Sequence, residues 1–494
     1  MIEQISTEGL IQPGSTCWRS VHVDRFALIV DAAEYFAQLK AAMILARKRI
    51  MLIVWDFDTR VRLEPEVNSG IWPDKFGSFI STLVERRPDL QVYLLKWDLG
   101  ILKTLGRGAT PLFILNWMTG KRIHLRLDSV HPLGACHHQK VAVIDDALAF
   151  CGGIDLTVGR WDTPEHRDED LRRASPWGFA QSPWHDATAA VDGEAAQSLA
   201  ELARERWESA TGERLPPLSE RHAIWPQTLQ TTFHDVNVGI ARTQPKSDGQ
   251  TEVREVEALT LAAIARAHRF IYVESQYLAS HRIADALAKR LGETSGPEVI
   301  VINPLSTEGW LEDEVMGSAR ARIIDVLRGT TGGSRFRIYH PVAAGGTPIY
   351  VHAKLMIVDD RFLKIGSANM NNRSMGLDTE CDLAVDTHDQ TRSRALRIAI
   401  CGIRHRLLAE HLCVTAEEFA RVELEEGSLV RAIDRLRVAK GRTLVPLEPR
   451  PLNAVEEFIA GDGVLDPDRP EPIVNQLAKL ASASARAWRG SSSP

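Results

Sequence analysis

Two stretches of the chain share one pattern of apolar and polar positions. An alanine-rich helical spacing over Ala41–Arg49 runs into the apolar segment Ile50–Trp55, and Ala262–Arg269 runs in the same way into Phe270–Glu274. Each predicts a helix followed by a strand buried on both faces. Further along, His138-Gln-Lys140-Val-Ala-Val-Ile144 and His352-Ala-Lys354-Leu-Met-Ile-Val358 open with alternation and continue as β-branched runs. Residues i and i+2 of a strand share a face, so each histidine projects beside its lysine. Asp-Asp at 145–146 and at 359–360 predicts a tight turn, and a second strand then leads to Gly152-Gly153 or Gly366-Ser367.

These segments are one unit used twice. His138 to Asp155 aligns without gaps on His352 to Asn369 at a constant offset of 214 residues. With 16 His, 13 Lys and 31 Asp in 494 residues, even one chance occurrence of H-x-K-x4-D is improbable, and the chain has two. The expected organisation is a first half at 1–210, a linker at 211–250 that lacks sustained periodicity, a second half at 251–415, and a helical C-terminal extension at 416–494 with a frayed end from Ser482.

Composition narrows the class. At 44% hydrophobic and 25% charged the chain is globular, and its length allows several domains at roughly 100–200 residues each. The net charge of −6 gives no global basic field for nucleic acid or anionic lipid, so any anion site must be local. Six cysteines without a CxxC pair read as reduced, buried thiols. The longest apolar runs are strand-sized, and the first thirty residues lack the basic and apolar regions of a secretory signal. The expected compartment is the cytoplasm.

Two imidazoles and two ammonium groups suit a phosphodiester. One neutral imidazole can attack phosphorus while the other, protonated, gives its proton to the leaving alkoxide. Lysines supply the fixed positive charge that metal ions supply in other phosphoryl enzymes, so this chemistry is expected to need no metal and no cofactor. Asp145 and Asp359, which close the motifs, are expected to cap turns or form ion pairs rather than to react.

The two motifs resemble the paired HKD motifs of the phospholipase D superfamily. Leu127 to Lys140, Gly152 to Leu156, Gly159 to Thr163, Pro183-Trp-His-Asp186, Ile271 to Tyr277, Ile349 to Lys354 and Gly366 to Ser374 are similar to the eukaryotic-type branch, and the similarity spans about residues 15–415. The resemblance implies an α/β fold of two tandem α/β/α halves, with mixed sheets about a pseudo-two-fold and the site at their interface. It implies His138 as nucleophile, His352 as general acid, and Lys140 and Lys354 as phosphate clamps. Asp155, Asn369, Gly153 and Ser367 match phosphate-contacting positions. Asp170 and Glu380 match acidic residues that orient the histidine of their own motif.

Of the other candidates, His137 is expected to be structural, His131 and His166 to line the pocket mouth, His185 to pack or position, and Arg160 with Trp161 to be structural. Ten of the twelve tryptophans precede residue 226, most of them expected in the core. The implied activity is that of a phospholipase D, with a phospholipid substrate, water or an alcohol as acceptor, transient peripheral membrane contact, no nucleic acid partner, and a monomeric state. A cardiolipin-synthase-like transferase, a nuclease with the same motifs and a catalytically inert scaffold are the competing readings. The intact histidine and lysine pairs count against the last.

Overall fold

The computed structural model describes residues 9–65, 70–98, 116–117, 120–219, 222–247, 249–307, 310–388, 390–449 and 466–470. The end from Ser482 expected to fray lies outside the described residues.

The first half supplies β1 (Arg19–Val30), β2 (Arg49–Val54), β3 (Gln91–Trp97), β4 (Ile123–Asp128), β5 (Val141–Ile144), β6 (Leu148–Gly152), β7 (Trp184–His185) and β8 (Ala187–Asp192). The second supplies β9 (Phe233–Gln244), β10 (Val253–Arg254), β11 (Phe270–Ser275), β12 (Glu298–Ile302), β13 (Phe336–Val342), β14 (Tyr350–Val351), β15 (Lys354–Val358), β16 (Phe362–Gly366), β17 (Glu380–Asp386) and β18 (Thr443–Pro446). The main sheet runs β4-β3-β2-β5-β6-β8-β1-β9-β17-β16-β15-β11-β12-β13-β18, with β10 beside β9. Apart from β10 and β18, this order is a palindrome: each strand of one half has its counterpart at the mirrored place in the other. The two halves therefore form one continuous mixed sheet, joined where β1 and β9 run antiparallel, Val21 opposite Val238.

The repeat has a common local cause. Asp145, Asp146, Asp359 and Asp360 all take positive φ, between 48° and 55°, and Ala147 N donates to Ile144 O as Arg361 N does to Val358 O. Two positive-φ residues inside such a hydrogen bond make the hairpin turn whose twist matches that of its strands. Asp145 also accepts from the backbone N–H of Arg47, Lys48 and Arg49, and Asp359 from those of His268, Arg269 and Phe270. The motif aspartates thus pin the turn that feeds β2 and β11.

Helices cover both faces. Those following β8 and β17, Gly193–Thr211 and Ser393–Leu412, share a core drawn from both halves. The opposite face is covered in the first half by Ala32–Leu45 and Phe76–Arg86, and in the second by Glu255–Ala265 and His281–Leu291. Both predicted helices end earlier than the alanine spacing implied, at Leu45 and Ala265, because the next residues turn to meet the aspartate caps.

One segment corrects the sequence reading. Residues 233–244 lie inside the expected linker but form β9, at the centre of the sheet between β1 and β17. Val236, Val238 and Ile240 alternate inward there, a period-two signal obscured by the turn formers on either side. The expected C-terminal extension is helical at Ala416–Glu426 and Leu429–Leu436, but it also contributes β18 to the sheet edge. Cysteines 17, 136, 151 and 381 are buried as expected, whereas Cys401 is half-buried and Cys413 exposed. Among the described residues, no helix is long and apolar enough to cross a membrane.

Candidate active site

His138 and Lys140 lead into β5, and His352 and Lys354 lead into β15, at equivalent places in the two halves. Each imidazole is held through Nδ1 by a carboxylate of the opposite half. His138 Nδ1 lies 3.0 Å from both oxygens of Glu380, and His352 Nδ1 lies 2.7 Å from Asp186 Oδ2. This corrects the sequence pairing: Glu380 serves His138, not His352, and Asp170 serves neither. Asp170 instead makes a two-pronged ion pair with Arg172, at 2.6 to 3.1 Å.

The register explains the exchange. Gly152 of β6 pairs with Thr188 of β8, and its repeat equivalent Gly366 of β16 pairs with Asp382 of β17. Asp186 and Glu380, each two residues earlier, are therefore the same position of the fold. They stand 48 and 28 residues after their motif histidines because the first half has a longer loop between β6 and β8. Counting residues from the histidine fails there; following the strand to its start finds both.

Position 153 and its equivalent 367 support these carboxylates. A Cβ at Gly153 would lie 2.2 Å from Asp186 Oδ1, so glycine is needed for the close approach. Ser367 Oγ donates to Glu380 Oε2 at 2.5 Å, and Ser374 Oγ donates to Oε1 at 2.7 Å. Gly153 and Ser367, expected at the phosphate, thus lie against the carboxylates that hold the two imidazoles. Ser374 and Asp186 lie within the segments Gly366–Ser374 and Pro183–Asp186, but only the tertiary contacts reveal their work.

Both ammonium groups are buried. Lys140 Nζ donates to His138 O and pairs with Asp155 Oδ2 at 3.3 Å; Lys354 Nζ donates to His352 O and lies 3.5 Å from Gln276 Oε1. Asn369, at the position equivalent to Asp155, has a buried Oδ1 with no hydrogen-bond partner. Aromatic rings wall the site. Trp184 and Tyr350 stack 4.4 Å apart beside His352, and Trp55 lies edge-on to His138 with Trp97 stacked behind it. Trp184 and Tyr350 face each other because β7 pairs with β14, a two-stranded sheet linking the halves.

Electrostatically the site crowds buried cations together. Burial first, then Lys140 and Lys354, hold His138 well below the ordinary histidine range; burial, Lys354, Arg160 and Lys140 do the same to His352. Burial, reinforced by Lys140, lowers the Lys354 ammonium to about 7 against the pull of Asp186. Burial raises the carboxyls of Asp186 and Glu380. An anion among these cations would reverse the repulsion and let one imidazole take a proton.

The other candidates separate clearly. His137 is buried against Asp128, Arg206 and Thr379, a structural contact between the halves. Half-buried His131 contacts Asp98 and Trp97. His166 is fully buried and does not line a pocket mouth; it joins His185 in a separate cluster. The Arg160 guanidinium lies over the Trp184 ring, 3.8 Å from its centroid, and Trp161 is buried. Among the tryptophans, Trp117, Trp161, Trp184 and Trp207 are buried, but Trp177 stands 65% exposed beside exposed Phe179 and Leu171.

A symmetric sheet with two histidine–lysine pairs at the entries of equivalent strands defines a class of protein, and the chain belongs to the phospholipase D superfamily. Residues 125–289 match the family described as phospholipase D, and residues 260–395 match the one described as cardiolipin synthase, PLD-like domain. Phospholipase D A of Dictyostelium discoideum is 23% identical, covering 78% of this chain and 35% of that protein. Phospholipase D alpha 1 of Brassica oleracea var. capitata is 26% identical, covering 76% and 63%, and phospholipase D alpha 4 of Arabidopsis thaliana is 23% identical, covering 88% and 72%. The chain thus spans from about a third to under three quarters of the length of these relatives. The crystal structure of a phosphatidylserine synthase from Haemophilus influenzae shares the fold, with a TM-score of 0.53 at 14% identity over 94% of this chain and 95% of that one.

Proposed function

We propose that the chain is a phospholipase D that cleaves the distal phosphodiester of glycerophospholipids through a covalent phosphohistidine. The observation that carries this reading is the pair of imidazoles, each tied at Nδ1 to a carboxylate of the opposite half. That tether fixes the tautomer and leaves both Nε2 atoms to the substrate.

In the first step Nε2 of neutral His138 attacks phosphorus, forming a P–N bond. The P–O bond to the headgroup breaks as protonated His352 gives its Nε2 proton to the departing oxygen. Lys140 and Lys354 neutralise the charge gathered on the non-bridging oxygens. In the second step neutral His352 takes a proton from water, whose oxygen attacks phosphorus. The P–N bond breaks, phosphatidic acid leaves, and both histidines return to their starting states. An alcohol that replaces water gives a phosphatidyl alcohol by the same path.

Leu171, Trp177 and Phe179 supply the lipid contact in this reading. Leu171 and Trp177 line a cleft of about 490 Å3 together with Arg60, Arg62, Lys75 and Arg172, and Phe179 is exposed two residues beyond Trp177, a mix of apolar and cationic groups suited to a headgroup layer. The match of residues 260–395 to a cardiolipin synthase domain favours a second reading in which the acceptor is another lipid alcohol.

The test is incubation with phosphatidylcholine vesicles plus ethanol, with phosphatidylglycerol vesicles and plasmid DNA in parallel. Phosphatidic acid and phosphatidylethanol are expected from the first. Cardiolipin without phosphatidylcholine cleavage would favour the second reading, and nicked DNA alone would overturn both.

A further inference from the structure

Next to the carboxylate that positions His352 lies a buried cluster that the proposed reaction does not use. Asp31 follows β1, His166 lies in the loop between β6 and β8, His185 lies in β7 beside Asp186, and Glu410 comes from the helix Ser393–Leu412 of the second half. Their donor atoms all lie within 4.8 Å of one another. Glu410 Oε1 is 3.1 Å from His166 Nε2 and 3.0 Å from His185 Nδ1; Asp31 Oδ2 is 3.6 Å from His166 Nε2, and Asp31 Oδ1 is 3.3 Å from His185 Nδ1. Four donors around a tetrahedral ion with bonds of about 2.0–2.1 Å would stand roughly 3.3–3.4 Å apart.

The surroundings are those of ligands. The far ring nitrogen of each histidine meets a buried carboxylate: His166 Nδ1 meets Asp162 at 2.9 Å, and His185 Nε2 meets Glu274 at 3.0 Å. Outer carboxylates of this kind fix the tautomer of metal-bound imidazoles. Asp162 is itself held by Arg173 and by Trp184 N, and Glu274 by Tyr272 and His411. Two inward atoms lack hydrogen bonds although their side chains are fully buried: Asp31 Oδ2 and His185 Nδ1. His185 Nδ1 has two carboxylate oxygens within 3.3 Å and is aligned with neither, as expected if it is aimed at a point between them. Asp31 and His166 both take positive φ, at 65° and 44°, a backbone cost concentrated at the cluster.

We propose that Asp31, His166, His185 and Glu410 hold one divalent transition-metal ion, zinc by the N2O2 donor set, as a closed structural site that ties the two halves together. The ion would not touch the phosphate. It would anchor the segment that carries Asp186, since Asp31 N donates to Asp186 O and His352 N donates to His185 O. Glu410, whose side chain is 12% exposed, marks the side from which the ion enters.

The competing account is a metal-free ion network with both imidazoles protonated. It has support, because Asp31, Asp162 and Glu410 overcome burial and raise His166 to about 9. The experiment separates the two. The full chain is produced in zinc-supplemented medium and its metal measured by mass spectrometry, and the zinc is then exchanged for cobalt. One zinc per chain and the intense visible bands of tetrahedral cobalt are expected. His166→Gln and Glu410→Gln should each lower zinc content at least tenfold, while Asp170→Asn keeps it. Chelation of the wild-type protein should lower its thermal midpoint. A folded wild-type protein that takes up neither metal would overturn the site, as would an octahedral cobalt spectrum or zinc content unchanged in both cluster variants. The wild-type cobalt spectrum decides the matter even if a variant fails to fold.

Discussion

Glu380 lies 242 residues after His138, and both its carboxylate oxygens sit 3.0 Å from Nδ1 of that histidine. Neither half of the chain therefore contains a working imidazole on its own. Asp186 completes the exchange by holding His352. Glu380→Gln and Asp186→Asn should each lower kcat by about 10²- to 10⁴-fold, since the amide holds the ring in the wrong tautomer. Asp170→Asn, which removes only an ion pair with Arg172, should leave kcat within about twofold. Steady-state kinetics on the three variants checks the crossed pairing; a large loss only in Asp170→Asn would restore the pairing within each half.

The nucleophile is identified by trapping. With a p-nitrophenyl phosphodiester the leaving group needs no proton, so His352→Asn should give a burst and then stall. Mass spectrometry of the quenched protein should find the adduct on the peptide containing His138. His138→Asn should show neither burst nor adduct, and an adduct on His352 would exchange the two roles.

Lys354 gives the pH profile its basic limb. A lysine binds phosphate only while charged, so the attraction is present below its pKa of about 7 and is lost as pH rises through it. His138 must be neutral to attack, and its depressed pKa keeps it so well below the ordinary histidine range. On a p-nitrophenyl phosphodiester, whose leaving group needs no proton from His352, kcat/KM should accordingly fall above about pH 7, while its acid limb lies below 6.5. Lys354→Arg should move the basic limb upward in whatever activity remains. A wild-type profile flat to pH 9 would contradict this assignment.

Asp145 is a test of the fold. Its carboxylate accepts three backbone N–H groups at the entry to β2, so Asp145→Ala should cost about 2–4 kcal/mol of stability by denaturant unfolding. Turnover of the folded protein should change little.

The exposed tip offers a separation of binding from chemistry. Replacing both Trp177 and Phe179 by Ser removes apolar area that would enter a membrane, and vesicle binding should weaken by at least about tenfold. Hydrolysis of a monomeric short-chain substrate should be unaffected. Equal losses on both substrates would place the tip in the reaction site.

The sequence alone determined whatever depends on local period and repetition. His138 near Lys140, His352 near Lys354, the Asp-Asp turns and the duplication follow from residues within a few positions of one another, where local backbone geometry leaves few arrangements. Tertiary structure alone decided which carboxylate meets which histidine. Glu380 and Asp186 reach their partners across the junction of β1 and β9, and hydrogen bonds between segments hundreds of residues apart leave no spacing in the chain. The same reason hid β9 inside an apparent linker and scattered Asp31, His166, His185 and Glu410 over 380 residues. A strand at the centre of a sheet and a closed set of ligands are properties of assembled neighbours, and burial creates them only once both halves have met.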